Sequence, residues 1–389
     1  MTRVVVVGGG SMGWATAHHL LLRDSRADVM VIERDPSLRY SSTMLSDGNV
    51  RIQFNLEENI AMSMYAKECL ETFGEDMTVE GFSPDPMMRK QGNLFLVDAA
   101  GRGSAEAGLE AQQRLGCDSV WLDMNEIAAR FPALASNSLV GGTFGPTDGS
   151  VDPSAVVEGY RRRSVADGAK TTHGSVIELT TNNDRIVGVR LDDGSSLGAD
   201  VVVVCAGAWS TTLLARVGVD IPVEPVMRTV YVVAGDVEGS DDLPSNFLPS
   251  GVYVIPEKDG TFFMAWSTDD DPVGFEFTPA PRSRFYDVIW PELAAALPAF
   301  DRLEVIRSWA GLYAQNRLDA NAIIGEWPGI DGLYQATGFS GHGFQQCHAV
   351  GRHLAELITG HTPSLDLSRL GPQRVIDGKP LFEHEGRII

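Results

Sequence analysis

The stretch Val4-Val5-Val6-Val7-Gly8-Gly9-Gly10-Ser11-Met12-Gly13 decides the fold of this chain. Four consecutive β-branched residues predict a strand that is buried on both faces, as in a parallel sheet. The glycines fit the pattern G-x-G-x-x-G, and a helical pattern over residues 11–23 and a second strand over residues 29–32 follow. Gly8 permits a tight turn, Gly10 lets a pyrophosphate approach the backbone, and Gly13 lets the helix pack on the strand. We therefore expect the opening unit of a dinucleotide-binding domain.

A carboxylate lies where such a domain needs one. Glu33 ends the second strand, about 20 residues after Gly13, and there it can accept hydrogen bonds from ribose hydroxyls. The helix that begins near Ser11 adds free N–H groups and the positive end of its dipole for the phosphates. These features predict a dinucleotide site, but they do not separate NAD from FAD.

The composition excludes several partners. The 389 residues carry 52 acidic and 31 basic side chains, a net charge of −21, so nucleic acid and anionic membranes are poor partners. The four cysteines form no C-x-x-C motif, which favours buried free thiols over a zinc site or a disulfide framework. The valine run is too short for a signal sequence or a membrane span, so we expect a soluble, cytoplasmic protein.

The order of the predicted elements indicates two domains. Strand and helix patterns near both ends and in the middle of the chain are typical of one parallel α/β unit. Residues 222–315 instead carry several strand-like runs around one helical stretch, residues 283–297. We expect an α/β fold in which residues 1–84, 146–221 and 316–389 form a Rossmann-like domain. Residues 85–145 and 222–315 would form a second, α+β domain built on an antiparallel sheet.

Two local patterns add expectations about single elements. Asn55 followed by Glu58 resembles a capping box, which predicts that a helix begins at Asn55 and runs to about Phe73. The three consecutive aspartates of residues 269–271 predict a solvated loop.

Two glycine-rich turns favour FAD over NAD. Residues 205–210 (CAGAWS) end a buried strand in small residues, and residues 337–344 (TGFSGHGF) lead into the last helix. A second helix N-terminus suits a flavin, because reduction places negative charge near N1 and the C2 carbonyl. Taken one at a time, each turn is also compatible with ordinary tight-turn chemistry.

These motifs together resemble the D-amino-acid oxidase/sarcosine oxidase superfamily of FAD-dependent amine oxidoreductases. The matching pieces are GGGSMG with Glu33, residues 41–51, the CAGAWS turn, and residues 309–313 (WAGLY) through ATGFSGHGF. They occur in the family's order and span nearly the whole chain. The resemblance implies an FAD domain, a sheet domain, and hydride transfer from a carbon beside nitrogen to flavin N5, after which the imine is hydrolysed.

The resemblance also implies a set of FAD contacts. The residues expected at the ADP half are Gly8, Gly10, Ser11, Met12, Gly13, Glu33, Arg34, Ser42 and Thr43. Val176 is expected beside the adenine, and Ala206, Gly207 and Trp209 near the dinucleotide. The residues expected at the isoalloxazine ring are Arg51, Gly338, Gly341, His342, Gly343 and Phe344.

The departures from the family bear on the substrate. Sarcosine oxidases have a lysine where this chain has Gln345 and an arginine where it has Phe54, and both cations hold the substrate carboxylate. Their flavin-tethering cysteine corresponds to Gly311, and the tethering histidine of related dehydrogenases corresponds to a position near Leu45, so we expect non-covalent FAD. No lysine occurs at residues 264–266, where the family has a lysine that assists oxygen reduction. The sequence therefore does not decide whether the electron acceptor is oxygen or another carrier.

Candidate substrate-site residues follow from what the protein must do, since the cofactor carries the chemistry and the protein positions the amine with aromatic rings and an arginine for a carboxylate. They are Arg51, Tyr253, Trp266, Tyr313, Arg317, His342 and Gln345, with Arg228 and Arg307 as weaker candidates. The aromatic residues are also compatible with sheet packing, and Arg317 with a surface ion pair. His342, His348 and His353 do not share one helix face, so we expect no metal.

The sequence thus predicts an FAD-dependent enzyme that oxidises a C–N bond of a small amine or amino acid, with secondary, N-methyl or cyclic imino substrates favoured. One alternative is a dehydrogenase that passes electrons to a quinone or an electron-transfer flavoprotein. Another is a flavoprotein retained as an assembly factor, as in a related mitochondrial complex I assembly flavoprotein.

Overall fold

A computed structural model describes residues 1–383 of the chain. Its strands are β1 (Arg3–Val7), β2 (Asp28–Glu33), β3 (Asn49–Val50), β4 (Asn93–Val97), β5 (Val120–Asp123), β6 (Gly141–Gly145), β7 (Gly149–Ser150), β8 (Lys170–His173), β9 (Val176–Asn182), β10 (Arg185–Leu191), β11 (Ser196–Gly198), β12 (Val201–Val204), β13 (Val223–Ala234), β14 (Ser245–Phe247), β15 (Val252–Pro256), β16 (Thr261–Trp266), β17 (Glu304–Asn316), β18 (Ile323–Glu326) and β19 (Leu333–Thr337).

The α-helices are interspersed with these strands along the chain. They are α1 (Ser11–Arg23), α2 (Glu57–Asp76), α3 (Arg102–Arg114), α4 (Met124–Arg130), α5 (Pro153–Ala166), α6 (Ser210–Leu214), α7 (Arg282–Arg284), α8 (Trp290–Ala296), α9 (Gly343–Ile358) and α10 (Gln373–Ile376). Within the described part of the chain, none of them is both long and apolar enough to cross a membrane.

The first sheet has the order β18-β19-β12-β1-β2-β8. All neighbours are parallel except β18, which runs antiparallel to β19. The valines of β1 pair with β2 on one side and β12 on the other. Their side chains are buried because Val4 and Val6 enter the hydrophobic core on one face of the sheet, and Val5 and Val7 enter a second core on the other face. Helix α1 lies so close to α9 that a Cβ on Gly351 would stand 2.6 Å from the carbonyl carbon of Ala15.

The second sheet has the order β17-β13-β16-β15-β14-β4-β6-β5 and is antiparallel except between β14 and β4. It has its own hydrophobic core, in which Tyr231, Phe262 and Phe285 are fully buried. The expected fold class, a Rossmann-like unit with a second unit on an antiparallel sheet, is confirmed. Strands β4–β6 and β13–β17 belong to the second sheet, and the exact domain boundaries stay a prediction.

The predicted start of α2 is wrong. The helix begins at Glu57, and the residue before it, Leu56, offers no side-chain cap. The backbone N–H groups of Asn55 and Leu56 instead donate to the carboxylate of Glu383, at 2.6 and 3.2 Å. A carboxylate more than 300 residues away in the chain therefore caps this helix, which no local sequence pattern could reveal.

The helix predicted over residues 283–297 is interrupted. One turn of π-helix (Phe285–Ile289) separates α7 from α8. Pro291 has no N–H group and cannot donate the regular bond to the carbonyl four residues earlier, so the backbone widens locally.

Candidate active site

The glycine loop between β1 and α1 is shaped by close contacts. A Cβ on Gly8 would lie 2.4 Å from the carbonyl oxygen of Cys205, and one on Gly13 would lie 1.9 Å from the carbonyl oxygen of Gly8. At Gly10 the nearest such contact is Thr43 Oγ1 at 3.5 Å, so this glycine borders open space. Gly8 and Gly10 line the cavity described below, whereas Gly13 serves the packing of the helix on its own strand.

An acidic and a cationic group lie where β2 ends. The Glu33 carboxylate accepts hydrogen bonds from the N–H groups of Gly9, at 2.7 Å, and Asp35, at 2.8 Å. The guanidinium of Arg34 lies 3.7 Å from the centre of the Trp209 ring. Glu33 thereby links the end of the second strand to the glycine loop, and its carboxylate lines the same cavity.

A large cavity of about 420 Å³ extends from the glycine loop to the second sheet. Most of the residues expected at the cofactor and substrate line it: Gly8, Gly10, Ser11, Met12, Glu33, Arg34, Ser42, Thr43, Val176, Ala206, Gly207, Trp209, Tyr253, Trp266, Tyr313, Gly341, Gly343 and Phe344. The expected cofactor loops and the strands β15–β17 thus border one continuous space.

Other expected residues lie elsewhere. Arg51, His342 and Gln345 line a smaller adjoining cavity of about 60 Å³, which shares Tyr253 and Tyr313 with the large one. Gly338 packs against Val223, Asn316 and Ile323 and borders neither cavity.

The prediction for Arg317 is not supported by its position. Its Nε lies 2.8 Å from Glu224 Oε2 in an exposed ion pair, outside both cavities. Arg307 is also exposed, with its guanidinium 5.2 Å from the centre of the Trp309 ring. Neither Arg317 nor Arg307 is therefore placed to bind the carboxylate of a substrate in these cavities.

Arg51, His342 and Gln345 form a buried network. The Gln345 side chain accepts from Arg51 N–H at 2.8 Å and donates to Arg51 O at 3.2 Å and to Ser63 Oγ at 3.0 Å. Arg51 Nη1 donates to Gln53 O, and Nη2 lies 3.2 Å from His342 Nε2. Burial and the nearby guanidinium lower the pKa of His342 to about 3, so the imidazole is neutral and accepts from Arg51. Gln345 thus holds the backbone at Arg51, whereas the lysine at this position in sarcosine oxidases holds the substrate carboxylate.

Arg228, one of the weaker substrate-site candidates, lies at the large cavity, whereas Arg317 does not. Arg228 forms an ion pair with Asp271, which also pairs with Arg284 at 2.6 Å. One carboxylate shared by two guanidinium groups leaves the cluster with a net positive charge. Within residues 1–383, Arg228 Nε has no hydrogen-bond partner. The prediction of a solvated loop is therefore wrong at Asp271, which is buried by these arginines.

Asp47 was missed by the sequence analysis. It lines both cavities, and the Tyr253 hydroxyl donates a hydrogen bond to its carboxylate. Burial raises the pKa of this carboxyl group. In the sequence Ser46-Asp47-Gly48, the residue has the pattern of an ordinary turn, so only the fold reveals its position.

The residues present fit FAD. Helices α1 and α9 both begin at the large cavity, and their N-cap residues offer no side-chain cap. N–H groups of their first turns are therefore available to a ligand, although Ser11 N–H already makes a long bond of 3.4 Å to Thr43 Oγ1. A Cβ on Gly207 would meet nothing within 4 Å, which leaves room for close approach of a ligand at the CAGAWS turn. Burial raises the pKa of the cavity-lining Cys205 to about 12, and Gly311 and Leu45 carry no nucleophile. These features fit non-covalent binding.

Comparison with known proteins defines the class. Residues 3–357 match the model of the family described as FAD dependent oxidoreductase (DAO), and the chain belongs to this family. It is therefore an FAD-dependent oxidoreductase, and non-covalent binding of FAD fits this family. The resemblance inferred from the glycine motifs is confirmed.

Three relatives illustrate the range of the family. The chain is 32% identical to FAD-dependent oxidoreductase domain-containing protein 1 of Xenopus laevis, over 98% of this chain and 84% of the relative. It is 26% identical to monomeric sarcosine oxidase of Bacillus sp. (strain B-0618), over 92% of this chain and 93% of the relative. The crystal structure of L-proline dehydrogenase from P. horikoshii superposes with a TM-score of 0.86 at 27% identity, covering 98% and 99% of the two chains.

Proposed function

We propose that the substrate is a small secondary amine of the N-methyl or cyclic imino type. The observation that carries this proposal is the continuity of the large cavity from the glycine loop to Tyr253, Trp266 and Tyr313. The glycine loop would hold the ADP half of FAD, and these side chains would lie at the end of the cavity where the substrate meets the flavin ring. The similarity to a protein named L-proline dehydrogenase supports a cyclic imino substrate.

The protein's part in the reaction is to position the amine. When bound, FAD supplies the hydride acceptor, N5, for the carbon beside nitrogen, and water then hydrolyses the imine. Burial raises the pKa of Tyr313 to about 12 and that of Tyr253 well above its usual value, so both phenols stay protonated. Their rings and that of Trp266 provide apolar walls for the amine. Arg228 supplies a guanidinium that can bind a carboxylate on the substrate.

A dehydrogenase is the second candidate. No lysine lines either cavity within residues 1–383, so the lysine that assists oxygen in sarcosine oxidases is not replaced by another lysine there. This observation favours a quinone or an electron-transfer flavoprotein as electron acceptor over oxygen.

Anaerobic reduction of the bound flavin tests the function. The purified protein is mixed with N-methyl amino acids, cyclic imino acids, primary amino acids and amines without a carboxylate, and the absorbance near about 450 nm is followed. We expect the secondary amines to bleach the flavin fastest. A protein that binds no flavin, or a flavin that no member of the panel bleaches, would contradict the proposal.

Two further measurements sharpen this test. Trp266→Phe should slow the bleaching, because Trp266 lines the large cavity. Trp290→Phe should leave it unchanged, because Trp290 is a half-buried residue of α8 that packs against the core of the second sheet and lines neither cavity. The reduced enzyme is then exposed to air or to a soluble quinone. Fast reoxidation by air with stoichiometric peroxide identifies an oxidase, and fast reoxidation by the quinone alone identifies a dehydrogenase.

A further inference from the structure

Asp47 is a half-buried carboxylate in the wall between the two cavities. Its Oδ1 accepts a hydrogen bond from the N–H of Asn49 at 3.1 Å, and the Tyr253 hydroxyl donates a second bond. These two bonds fix the carboxylate beside two aromatic rings, Tyr253 and Tyr313, that line the substrate end of the large cavity.

No cation of the described chain neutralises this carboxylate. Within residues 1–383, no ion pair of 4.0 Å or less joins Asp47 to a lysine, arginine or histidine. The nearby charged and titratable groups, taken from every element around it, are Tyr253, Glu257, Tyr313, Arg51, His342 and Arg228. Of the cations among them, Arg51 contacts His342, and Arg228 pairs with Asp271.

A half-buried carboxylate without a cationic partner has lost part of its hydration, so a cationic ligand would stabilise it. The ligand that the family brings to this cavity carries a nitrogen, and amines of ordinary basicity are protonated at neutral pH. The ammonium of a substrate is therefore the cation that this site lacks. Burial also raises the pKa of Asp47, which makes it a better proton acceptor.

We propose that Asp47 binds the ammonium group of the substrate and takes its proton, so that the substrate class is amines that arrive protonated. This inference rests on the proposed function. Arg228, in the same cavity, can bind a carboxylate on the same molecule, so amino acids are included.

The chemistry requires such a proton transfer. An ammonium has no lone pair to form the C=N bond as hydride leaves the neighbouring carbon. On binding, an N–H bond breaks, the proton passes to a carboxylate oxygen of Asp47, and the nitrogen keeps the electron pair. That pair then becomes the second bond of C=N while the hydride passes to the oxidised flavin. Asp47 thus acts as a general base that touches the substrate.

The pH dependence of flavin reduction tests this role. Asp47→Asn, Asp47→Glu and, as a control at an exposed carboxylate, Asp287→Asn are compared with wild type, each loaded with FAD and mixed anaerobically with the fastest amine of the panel. Without the base only the free amine reacts, so Asp47→Asn should lose about tenfold in rate for each pH unit below the pKa of the amine. Asp47→Glu and Asp287→Asn should keep the wild-type pH profile. An Asp47→Asn profile that matches wild type would overturn the proposal.

A binding experiment tests Asp47 without turnover. tert-Butylamine and tert-butanol have the same shape, and neither carries a hydrogen on the carbon next to its heteroatom, so neither is oxidised there. Titration into the flavin-loaded wild type, followed by the flavin spectrum, should show about tenfold or tighter binding of the protonated amine than of the alcohol. Asp47→Asn should abolish this preference.

The two tests separate the proposals. If no amine bleaches the wild-type flavin, the proposed function fails, while the amine-to-alcohol preference still reports on Asp47. If amines bleach the flavin but wild type binds the alcohol as tightly as the amine, only the role of Asp47 is overturned. The wild-type comparison needs no variant, so it holds even where Asp47→Asn does not retain FAD.

Discussion

Gly8 shows how a single residue determines the cofactor loop. Its φ is +108°, and a Cβ there would lie 2.4 Å from the carbonyl oxygen of Cys205. Gly168 has a nearly identical φ of +109° but nothing within 4 Å of the same Cβ position. Gly8→Ala should therefore lower the free energy of unfolding by about 1–3 kcal/mol more than Gly168→Ala, because only Gly8 adds a clash to the backbone strain. Urea unfolding of both variants measures this difference.

The same pair of variants reports on the cofactor. Gly8 lines the cavity and Gly168 does not, so Gly8→Ala should also reduce the ratio of bound FAD to protein, whereas Gly168→Ala should leave it unchanged. Equal stability and equal FAD content in the two variants would show that the loop tolerates a side chain at Gly8.

Arg228 and Arg317 make a second matched pair at the residue scale. Arg228 lines the large cavity. When Arg228 is removed, Asp271 still has Arg284 as its ion-pair partner. Arg317 instead lies in an exposed ion pair with Glu224. Arg228→Met should raise the KM of carboxylate-bearing substrates by about 10–100-fold, since a hydrogen bond to a charged group contributes about 1.5–3 kcal/mol. Amines without a carboxylate should be less affected, and Arg317→Met should behave as wild type. An increase in KM with Arg317→Met alone would reverse this assignment.

At the scale of elements, the cap of α2 by Glu383 gives a stability prediction. Glu383 is 4% exposed and accepts from two backbone N–H groups and from Asn59 Nδ2 at 2.7 Å. Glu383→Ala should lower the free energy of unfolding by about 2 kcal/mol, the upper end for a lost helix cap. Asp123→Ala, which removes the exposed cap of α4, should cost about 1 kcal/mol. If Glu383→Ala lowers the free energy of unfolding no more than Asp123→Ala does, Glu383 stabilises its helix no more than an ordinary exposed cap.

The two helix caps, one distant in the chain and one local, also show how much of the fold the sequence could predict. The strands β1 and β12 and the helix after the glycine loop follow from local patterns, because their propensities and turn chemistry act over a few residues. The cap by Glu383 could not be predicted, since its two partners meet only when the fold brings distant segments together. Asp47 and Asp271 were missed for the same reason: burial by other strands, and not their own neighbours in sequence, determines their environment.

At the scale of the whole molecule, the loop of residues 41–47 joins the two sheets. Ser42 Oγ donates to Leu312 O at 2.6 Å, and Trp309 Nε1 donates to Leu45 O at 2.9 Å. This loop lines the cavity and ends at Asp47, so the position of the proposed base is tied to strand β17. Ser42 and Thr43 could be assigned to the cofactor by resemblance, but the link to the second sheet required the structure.

Buried histidines predict how the stability of the whole molecule depends on pH. Burial lowers the pKa of His18 to about 4, that of His348 to about 3 and that of His19 well below 6.5. Between pH 6.5 and about 4 the unfolded chain therefore binds more protons than the folded chain, and stability falls as the pH falls. Each histidine contributes about 1.4 kcal/mol per pH unit. Asp148, whose pKa burial raises to about 7, opposes one of them, because the folded state keeps its proton over this range.

His19→Leu isolates one of these contributions. Neither ring nitrogen of His19 has a hydrogen-bond partner within residues 1–383, so leucine removes a titrating group without breaking a bond described there. Urea unfolding at several pH values between 4.5 and 6.5 should give a slope of stability against pH that is smaller by about 1.4 kcal/mol per unit than in wild type. His361→Leu, at an exposed histidine, should keep the wild-type slope. If His19→Leu also kept the wild-type slope, protonated His19 would have to be tolerated in the folded protein, between helices α1, α5 and α9. The acid sensitivity would then have to come from the carboxylates.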